Sequence, residues 1–170
     1  MNFKDLAKKR YSCRSFSDKR VEPEKIENII KTGILAPTAV NRQPYQIFSV
    51  QSKEGKEAIK ESTSCTYGAD EFLIVGYRKE DAWVREFDDR NFGDVDASIV
   101  ATHLMMAIFD EGLATTWVGH FDAPRLKEQF SALKDYDLVA LFPIGYPAED
   151  GGPSERHFDR KSKDELCTII

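Results

Sequence analysis

The apolar residues of this chain alternate between the spacing of helices and the spacing of strands. A period near 3.6 residues predicts an amphipathic helix, whereas a short apolar run bounded by turn residues predicts a strand. By these rules we expect helices at residues 3–10, 22–36, 53–61, 94–111 and after Asp122, and strands at residues 45–50, 72–77, 113–118 and 138–146.

Two helices carry the clearest signals. The second helix has Pro23 in its first turn, where proline is tolerated, and it ends near Ala36 because Pro37 disfavours a helical residue before it. Its expected inward positions are Ile26, Ile29, Ile30 and Ile34. The helix over 94–111 is apolar on most of its faces and is followed by Gly112, which predicts a buried central helix.

Two features interrupt this pattern. The connection 78–93 is rich in charge but carries Trp83, Phe87 and Phe92, and aromatic residues in a polar segment suggest that it folds over something. Pro143 lies within the fourth predicted strand. Because proline cannot donate a ladder hydrogen bond, we expect that part of the strand at a margin of the sheet.

The order of the elements predicts the fold class. Helices and strands alternate, but none of the predicted strands leads into a G-x-G-x-x-G turn, so a dinucleotide-binding Rossmann unit is disfavoured. We expect an α+β fold with a small mixed or antiparallel sheet flanked by helices. No repeat, low-complexity tract or Gly/Ser-rich linker divides the chain, so residues 1–170 are expected to form a single domain.

Composition narrows the classes of function. The chain is 41% hydrophobic and 31% charged, the profile of a compact globular domain, and its net charge of −5 disfavours nucleic-acid and anionic membrane partners. No signal-peptide pattern or apolar run of about 18 residues is present, so the cytoplasm is the expected compartment. Cys13, Cys65 and Cys167 lack metal-ligand spacing, so we expect reduced thiols and no metal site.

Candidate chemistry begins at the end of the first helix. Phe3, Leu6, Ala7 and Arg10 share one helical face, which places Arg10 at the edge of the buried side. If the chain then runs extended, Arg10, Ser12 and Arg14 point to the same side. Guanidinium groups bind phosphate through paired hydrogen bonds, so this pattern predicts a phosphate site. The alternative is that both arginines are ordinary surface residues.

The segment 36–44 is a second candidate. Its two prolines disfavour both helix and ladder, so the segment is expected to be an ordered loop. Asn41 and Gln43 each offer donors and an acceptor, which suits them to recognising the edge of a heteroaromatic ring. The alternative is a turn whose polar side chains satisfy one another.

These two motifs in tandem resemble the nitroreductase family of oxidoreductases that use flavin mononucleotide (FMN). The motifs are R-Y-S-C-R-S-F at 10–16 and A-P-T-A-V-N-R-Q-P-Y at 36–45. Weaker matches follow in the family's order, namely G-L-A-T-T-W-V-G at 112–119, F-P-I-G-Y-P at 142–147 and the basic pair Arg160-Lys161. The resemblance spans nearly the whole chain.

The resemblance implies a homodimer with FMN at the subunit interface. Residues that match the positions around the FMN phosphate and ribityl chain are Arg10, Tyr11, Ser12, Arg14, Arg160 and Lys161. The loop that the partner subunit is implied to supply contains Pro37, Thr38, Ala39, Asn41 and Gln43. The segment Trp117, Val118 and Gly119 matches backbone that lies beside the flavin ring, where an N–H near flavin N5 favours negative charge on the reduced cofactor.

This chain departs from the family pattern in three places. Tyr11 stands where many members carry a second basic residue, which leaves more of the phosphate grip to Arg160 and Lys161. The segment between Ser64 and Asp94 is short where longer members insert helices, so the chain looks like a minimal form with an open site that Trp83 to Phe92 could cover as a lid. The tail after Glu165 is short for an extended exchange between subunits.

The activity that the resemblance implies is hydride transfer from NADH or NADPH, through the flavin, to a nitroaromatic, quinone or similar planar small-molecule acceptor. Alternate reduction and oxidation would give ping-pong kinetics, and because the cofactor carries the chemistry, no catalytic side chain is expected. His103 is expected to be a satisfied core residue, and His120 is the histidine we would test as a proton donor. Two alternatives stay open: an FMN-binding regulatory or storage protein without turnover, and a phosphate-binding module without flavin.

Overall fold

An antiparallel sheet flanked by helices organises the fold, which confirms the predicted α+β class. The computed structural model describes residues 2–170. Its helices are α1 (Phe3–Lys9), α2 (Pro23–Gly33), α3 (Lys53–Ser62), α4 (Gly93–Asp110), α5 (Ala123–Gln129) and α6 (Lys163–Leu166). Its strands are β1 (Tyr45–Val50), β2 (Glu71–Tyr77), β3 (Val84–Arg85), β4 (Arg90–Asn91), β5 (Ala114–Thr115) and β6 (Asp137–Gly145). The main sheet has the order β1-β2-β6-β5, and β3 pairs with β4 separately.

Each face of the main sheet is covered by its own hydrophobic core. Side chains alternate along β2 because of the pleat, so Leu73 and Val75 pack with α2 and α4, whereas Phe72 and Ile74 pack with α3 and α5. Burial on both faces explains why the sequence of β2 reads as a continuous apolar run rather than as an alternating one.

Helices α2 and α4 approach each other closely on one face of the sheet. A Cβ at Gly33 would lie 2.3 Å from Leu104 Cδ2, so a larger residue here would displace the Leu104 side chain from the core. The structure also corrects two expectations of burial. Helix α2 ends at Gly33 rather than near Ala36 as predicted, which leaves Ile34 51% exposed, and Phe3 is 76% exposed on α1, none of whose residues is buried.

The strand expected at 113–118 is interrupted, and this interruption accommodates Pro143. Only Ala114 and Thr115 pair continuously with β6, after which the chain leaves the ladder and returns at Val118, which pairs with Leu141. Pro143 therefore lies in an interior strand, and its expected place at a sheet margin is wrong. Alternate residues of a strand direct their backbone N–H and C=O groups to the same neighbouring strand. Leu141 pairs with Val118, so the missing N–H of Pro143, two residues further on, faces this gap. Its carbonyl accepts a hydrogen bond from Thr115 Oγ1 at 2.7 Å.

The charged connection before α4 forms a small hairpin. Trp83 and Phe92 pack edge to face with their ring centroids 5.1 Å apart, and the guanidinium groups of Arg85 and Arg90 lie over the Phe92 ring. Phe87 near the turn is 87% exposed. The aromatic pair therefore stabilises the hairpin itself, and a lid role for this segment stays a prediction.

The three cysteines are unpaired, and Cys13 is structural. Its buried thiol donates hydrogen bonds to the carbonyls of Ser15 at 3.1 Å and Gly151 at 3.4 Å. Burial raises the pKa of the Cys13 thiol, which keeps it protonated and suited to this donor role. Across residues 2–170 there is no helix with the length and apolar character needed to cross a membrane.

Candidate functional site

A cavity of about 170 Å³ between the segment after α1 and the C-terminal tail is lined mainly by basic side chains. The lining residues are Arg10, Ser12, Arg14, Ser154, Arg156, His157 and Arg160. Among the ion pairs that the described residues form, none involves any of these four arginines. The cavity therefore concentrates guanidinium groups that are not engaged in ion pairs, an arrangement suited to binding an anion.

The extended segment after α1 forms one wall of this cavity. Arg10 is the C-cap of α1 and already has extended backbone angles. The chain then aligns with β5, because Ser12 forms a parallel bridge with Thr115 and the N–H of Cys13 donates to the Thr115 carbonyl at 3.0 Å. The extended course that was expected from the sequence is therefore present, and it brings Arg10, Ser12 and Arg14 to the same cavity.

The tail after β6 forms the opposite wall. It runs beside the segment 15–17, with the N–H of Ser17 donating to the Tyr146 carbonyl at 2.9 Å and the N–H of Ala148 donating to the Ser15 carbonyl at 3.1 Å. The hydroxyl of Ser15 donates to Asp150 Oδ1 at 2.7 Å. A short 3₁₀ turn at Glu155–His157 then carries the tail's basic residues to the cavity.

The positive charges in this cavity repel one another. Burial, and then the nearby guanidinium of Arg160, lower the pKa of Arg10, which is the expected effect of a low-dielectric, like-charged neighbourhood. Some donors of the cavity are used locally, since Arg14 Nη1 donates to the Ser12 carbonyl at 3.3 Å and Arg160 Nη1 to the Asp159 carbonyl at 2.8 Å. A bound anion would relieve this repulsion and accept charge-assisted hydrogen bonds from the remaining N–H groups.

Two residues that were expected around the phosphate, Tyr11 and Lys161, lie outside the cavity lining. Tyr11 packs its ring edge-on against Phe109 and His157, with centroids 6.3 and 6.5 Å away, so it supports the wall rather than lining it. Lys161 is exposed, and the structure does not place it in the lining.

Sequence reasoning missed three lining residues, namely Ser154, Arg156 and His157. A signal was present in the basic spacing of Arg156 and Arg160 four positions apart. This spacing did not lead to a prediction, because the tail has no apolar periodicity that would indicate its path back over the segment after α1.

The loop Pro37–Gln43 adopts a strained backbone. Val40, Asn41 and Gln43 have φ values of 45°, 56° and 51°, in the left-handed region that non-glycine residues rarely adopt. Thr38 closes the loop, because its Oγ1 accepts from the Gln43 N–H at 3.0 Å and its carbonyl accepts from the Asn41 N–H at 3.0 Å. Asn41 and Gln43 are exposed.

Within one chain this loop does not reach the basic cavity. Ala39 donates its N–H to Asp96 near the start of α4, whereas Tyr11 contacts Phe109 near the end of that helix. Thirteen residues of α-helix separate Asp96 from Phe109, a rise of about 20 Å. The two sequence motifs therefore lie at opposite ends of α4.

The segment Trp117 to Gly119 lies at the interruption after β5. The N–H of Val118 donates to the Leu141 carbonyl at 3.0 Å, so this amide is already used by the sheet. Gly119 is exposed, and apart from its chain neighbours no atom lies within 4 Å of where its Cβ would be, which leaves space beside this part of the backbone. The Trp117 ring packs on Phe142 with centroids 5.5 Å apart.

The histidines differ in their surroundings. His103 is half-buried, and its Nδ1 lies 3.0 Å from the Ile99 carbonyl, so it has a backbone partner. His120 is exposed, and its carbonyl accepts from Thr63 Oγ1 at 2.6 Å. In the part of the chain that the structure describes, no group of three or more His, Cys, Asp or Glu side chains could hold a metal ion.

The fold and the cavity together define an α+β protein with a cationic, phosphate-sized site. A family model described as the nitroreductase family matches residues 7–67 and 66–146. The chain belongs to the nitroreductase family.

Similar proteins support an oxidoreductase. A nitroreductase family protein from Clostridium difficile 630 is 36% identical, with 99% of this chain and 98% of that one covered and a TM-score of 0.90. An NADPH-dependent oxidoreductase from Staphylococcus haemolyticus is 28% identical, over 89% of this chain and 68% of that protein. A nitroreductase-like protein from Exiguobacterium sibiricum, solved in complex with FMN, shares the fold at 20% identity, with 100% and 98% coverage and a TM-score of 0.83.

Proposed function

We propose that this protein is an FMN-dependent oxidoreductase that uses NADH or NADPH to reduce a planar acceptor such as a nitroaromatic or a quinone. The observation that carries the proposal is the cavity lined by four arginines, none of which forms an ion pair among the described residues. The similar protein from Staphylococcus haemolyticus is named as NADPH-dependent and the one from Exiguobacterium sibiricum was solved with FMN, which supports the choice of reductant and cofactor.

The residues present fit the FMN phosphate. Arg10, Arg14 and Arg160 supply guanidinium donors, Ser12 adds a hydroxyl, and Arg156 joins them from the tail. Each hydrogen bond from a charged donor contributes about 1.5–3 kcal/mol, so a few of them account for much of the roughly 8 kcal/mol of a micromolar complex. Lys161 would add long-range attraction from outside the lining, and Tyr11 would hold His157 in place.

A flavin bound at this site would supply the redox chemistry, hydride transfer between reductant and acceptor in a ping-pong sequence. The protein's part is to bind and orient the reacting groups. Exposed Gly119 leaves space beside the backbone for a ring bound next to the segment 117–119, and the hydrogen bond from the Val118 amide fixes that segment to the sheet. No side chain is assigned a catalytic role.

We also propose a homodimer, because the two halves of the site lie at opposite ends of α4 in one chain. A two-fold axis across α4 would reverse the helix in the second copy and bring the loop of one subunit to the cavity of the other. Half-buried Ile99, His103 and Met106 recur along the outer side of α4 at helical spacing. Beside them lies a largely apolar groove of about 360 Å³ that includes Phe3 and Leu6.

If the dimer completes the flavin site, a charged residue on this face should both separate the subunits and abolish FMN binding. Met106→Asp is expected to convert the dimer to a monomer, because a carboxylate desolvated in an apolar interface costs several kcal/mol. Sedimentation velocity and FMN titration measure both effects. Gln129→Asp, on α5 at the opposite face of the sheet, is the matched control and should leave both unchanged. A monomeric Met106→Asp protein that still binds FMN as the parent does would contradict the shared site.

We further propose that residues 1–170 fold as one domain and that the reaction takes place in the cytoplasm. Both hydrophobic cores share the same sheet, which supports a single cooperative unit. Unpaired cysteines, one of them exposed, suit a reducing compartment.

The decisive experiment is the visible absorbance spectrum of the purified protein before and after anaerobic addition of NADH or NADPH. We expect flavin bands that bleach with one reductant and return when a quinone or nitroaromatic is added. Bands that persist with both reductants would favour an FMN-binding protein without turnover. A colourless protein that does not take up added FMN but binds inorganic phosphate would favour a phosphate-binding module instead.

A further inference from the structure

Asp96 is a buried carboxylate with one unpaired oxygen that lies outside the basic cavity. It is 1% exposed and lies in the first turn of α4. Its Oδ1 accepts the N–H of Ala39 at 2.8 Å, whereas its Oδ2 is buried without a hydrogen-bond partner among the described residues. Buried carboxylates are normally paired with several donors, so a half-satisfied one is retained at a cost in stability.

The surroundings offset only part of that cost. The N-terminal end of a long helix carries partial positive charge, which favours a carboxylate in the first turn. No lysine or arginine within residues 2–170 forms an ion pair with Asp96. The one strong interaction that remains is the charge-assisted hydrogen bond to the backbone of Ala39.

That hydrogen bond joins the strained loop to the body of the protein. The bonds to Thr38 lie within the loop, so they determine its shape but not its position. Among the described residues, the bond from Ala39 to Asp96 is the hydrogen bond that connects the segment 37–43 to another element. Left-handed backbone costs on the order of 1–2 kcal/mol at Val40 and at Gln43 and less at Asn41, and it persists only where the surroundings hold it.

We propose that Asp96 is a positioning residue of the flavin site, which holds the loop 37–43 so that Asn41 and Gln43 present their side chains to the flavin in the partner's cavity. The inference rests on the proposed function. A carboxylate serves here better than a neutral acceptor, because a bond to an ionised acceptor is about twice as strong. The stability lost by burying the unpaired Oδ2 is tolerated because Oδ1 holds the loop in position.

The test compares Asp96→Ala, Asp96→Asn and the control Asp94→Ala, which removes an exposed carboxylate from the same helical turn. Trypsin cleavage after Arg42, an exposed residue of the loop, reports the position of the loop in the flavin-free protein. We expect cleavage at this bond to be at least about tenfold faster in Asp96→Ala, and an FMN dissociation constant about tenfold higher. Asp94→Ala should match the parent in both, and Asp96→Asn, which retains an acceptor oxygen, should lie within about threefold of it.

Three outcomes would overturn the inference: unchanged cleavage after Arg42 in Asp96→Ala, cleavage that accelerates equally at all sites together with a lower melting temperature, or an Asp96→Asn protein as impaired as Asp96→Ala. A parent protein that fails to bind FMN would contradict the proposed function instead. The protease comparison, which needs no flavin, would still decide whether Asp96 anchors the loop.

Discussion

Replacing both Arg10 and Arg14 with alanine is expected to weaken FMN binding by about a hundredfold or more. Each substitution removes at least one hydrogen bond from a charged donor, worth about 1.5–3 kcal/mol, and 1.4 kcal/mol corresponds to a factor of ten. Each single substitution should therefore cost about tenfold. Titration of the flavin-free protein with FMN, followed by quenching of flavin fluorescence, measures the loss.

Riboflavin, which lacks the phosphate, separates loss of the anion site from general damage. Its affinity should change much less than that of FMN between the double variant and the parent, because riboflavin lacks the phosphate with which the arginines form their charge-assisted hydrogen bonds. Arg20→Ala, an exposed arginine outside this cavity, is the matched control and should retain FMN fully. If the double variant retains FMN as the parent does, the cavity is not the phosphate site.

The second large effect is expected at Gly151, where the tail crosses the segment after α1. A Cβ at this buried position would lie 2.5 Å from the Ser15 carbonyl oxygen and 2.9 Å from the Ala148 nitrogen. Because both neighbours are backbone atoms, the crossing itself must shift. Gly151→Ala should lower the free energy of unfolding by about 1–3 kcal/mol, which corresponds to about 2–10 °C in melting temperature, and it should also weaken FMN binding as Arg156 and Arg160 are displaced.

Gly152→Ala provides a neighbouring control, since no atom lies within 4 Å of the position of its Cβ. Its unfolding free energy should stay within about 0.5 kcal/mol of the parent, and its FMN affinity should not change. Calorimetry and FMN titration on both variants give the comparison. Equal behaviour of the two alanine variants would mean that the crossing at Gly151 is not tight in solution.

Local signals in the sequence were sufficient to predict most of the elements. The strand predicted at 45–50 has those bounds in the structure, and the strands predicted at 72–77 and 138–146 differ by one residue at their ends. The helix predicted at 94–111 is α4, at 93–110. These predictions succeeded because the period of apolar residues and the position of prolines act within a few residues of the chain.

Predictions that depended on distant partners were less successful. Pro143 was expected at a sheet margin because proline lacks a donor, but the interruption between Thr115 and Val118 removes the need for one. Ile34 fits the apolar period of α2, yet the helix ends one residue too early to bury it. Neither the path of β5 nor the end of α2 is encoded in the period of the segment itself.

The sequence by itself determined the family, the order of the longer helices and strands, and the first half of the basic site, since Arg10, Ser12 and Arg14 share a side by the geometry of an extended chain. Only the tertiary structure added Arg156 and His157 to that cavity, because backbone hydrogen bonds between the tail and the segment 15–17 bring together residues far apart in sequence. It also placed the loop 37–43 at the opposite end of α4 and tied it to Asp96. Distances between elements depend on packing, which no local pattern of residues contains.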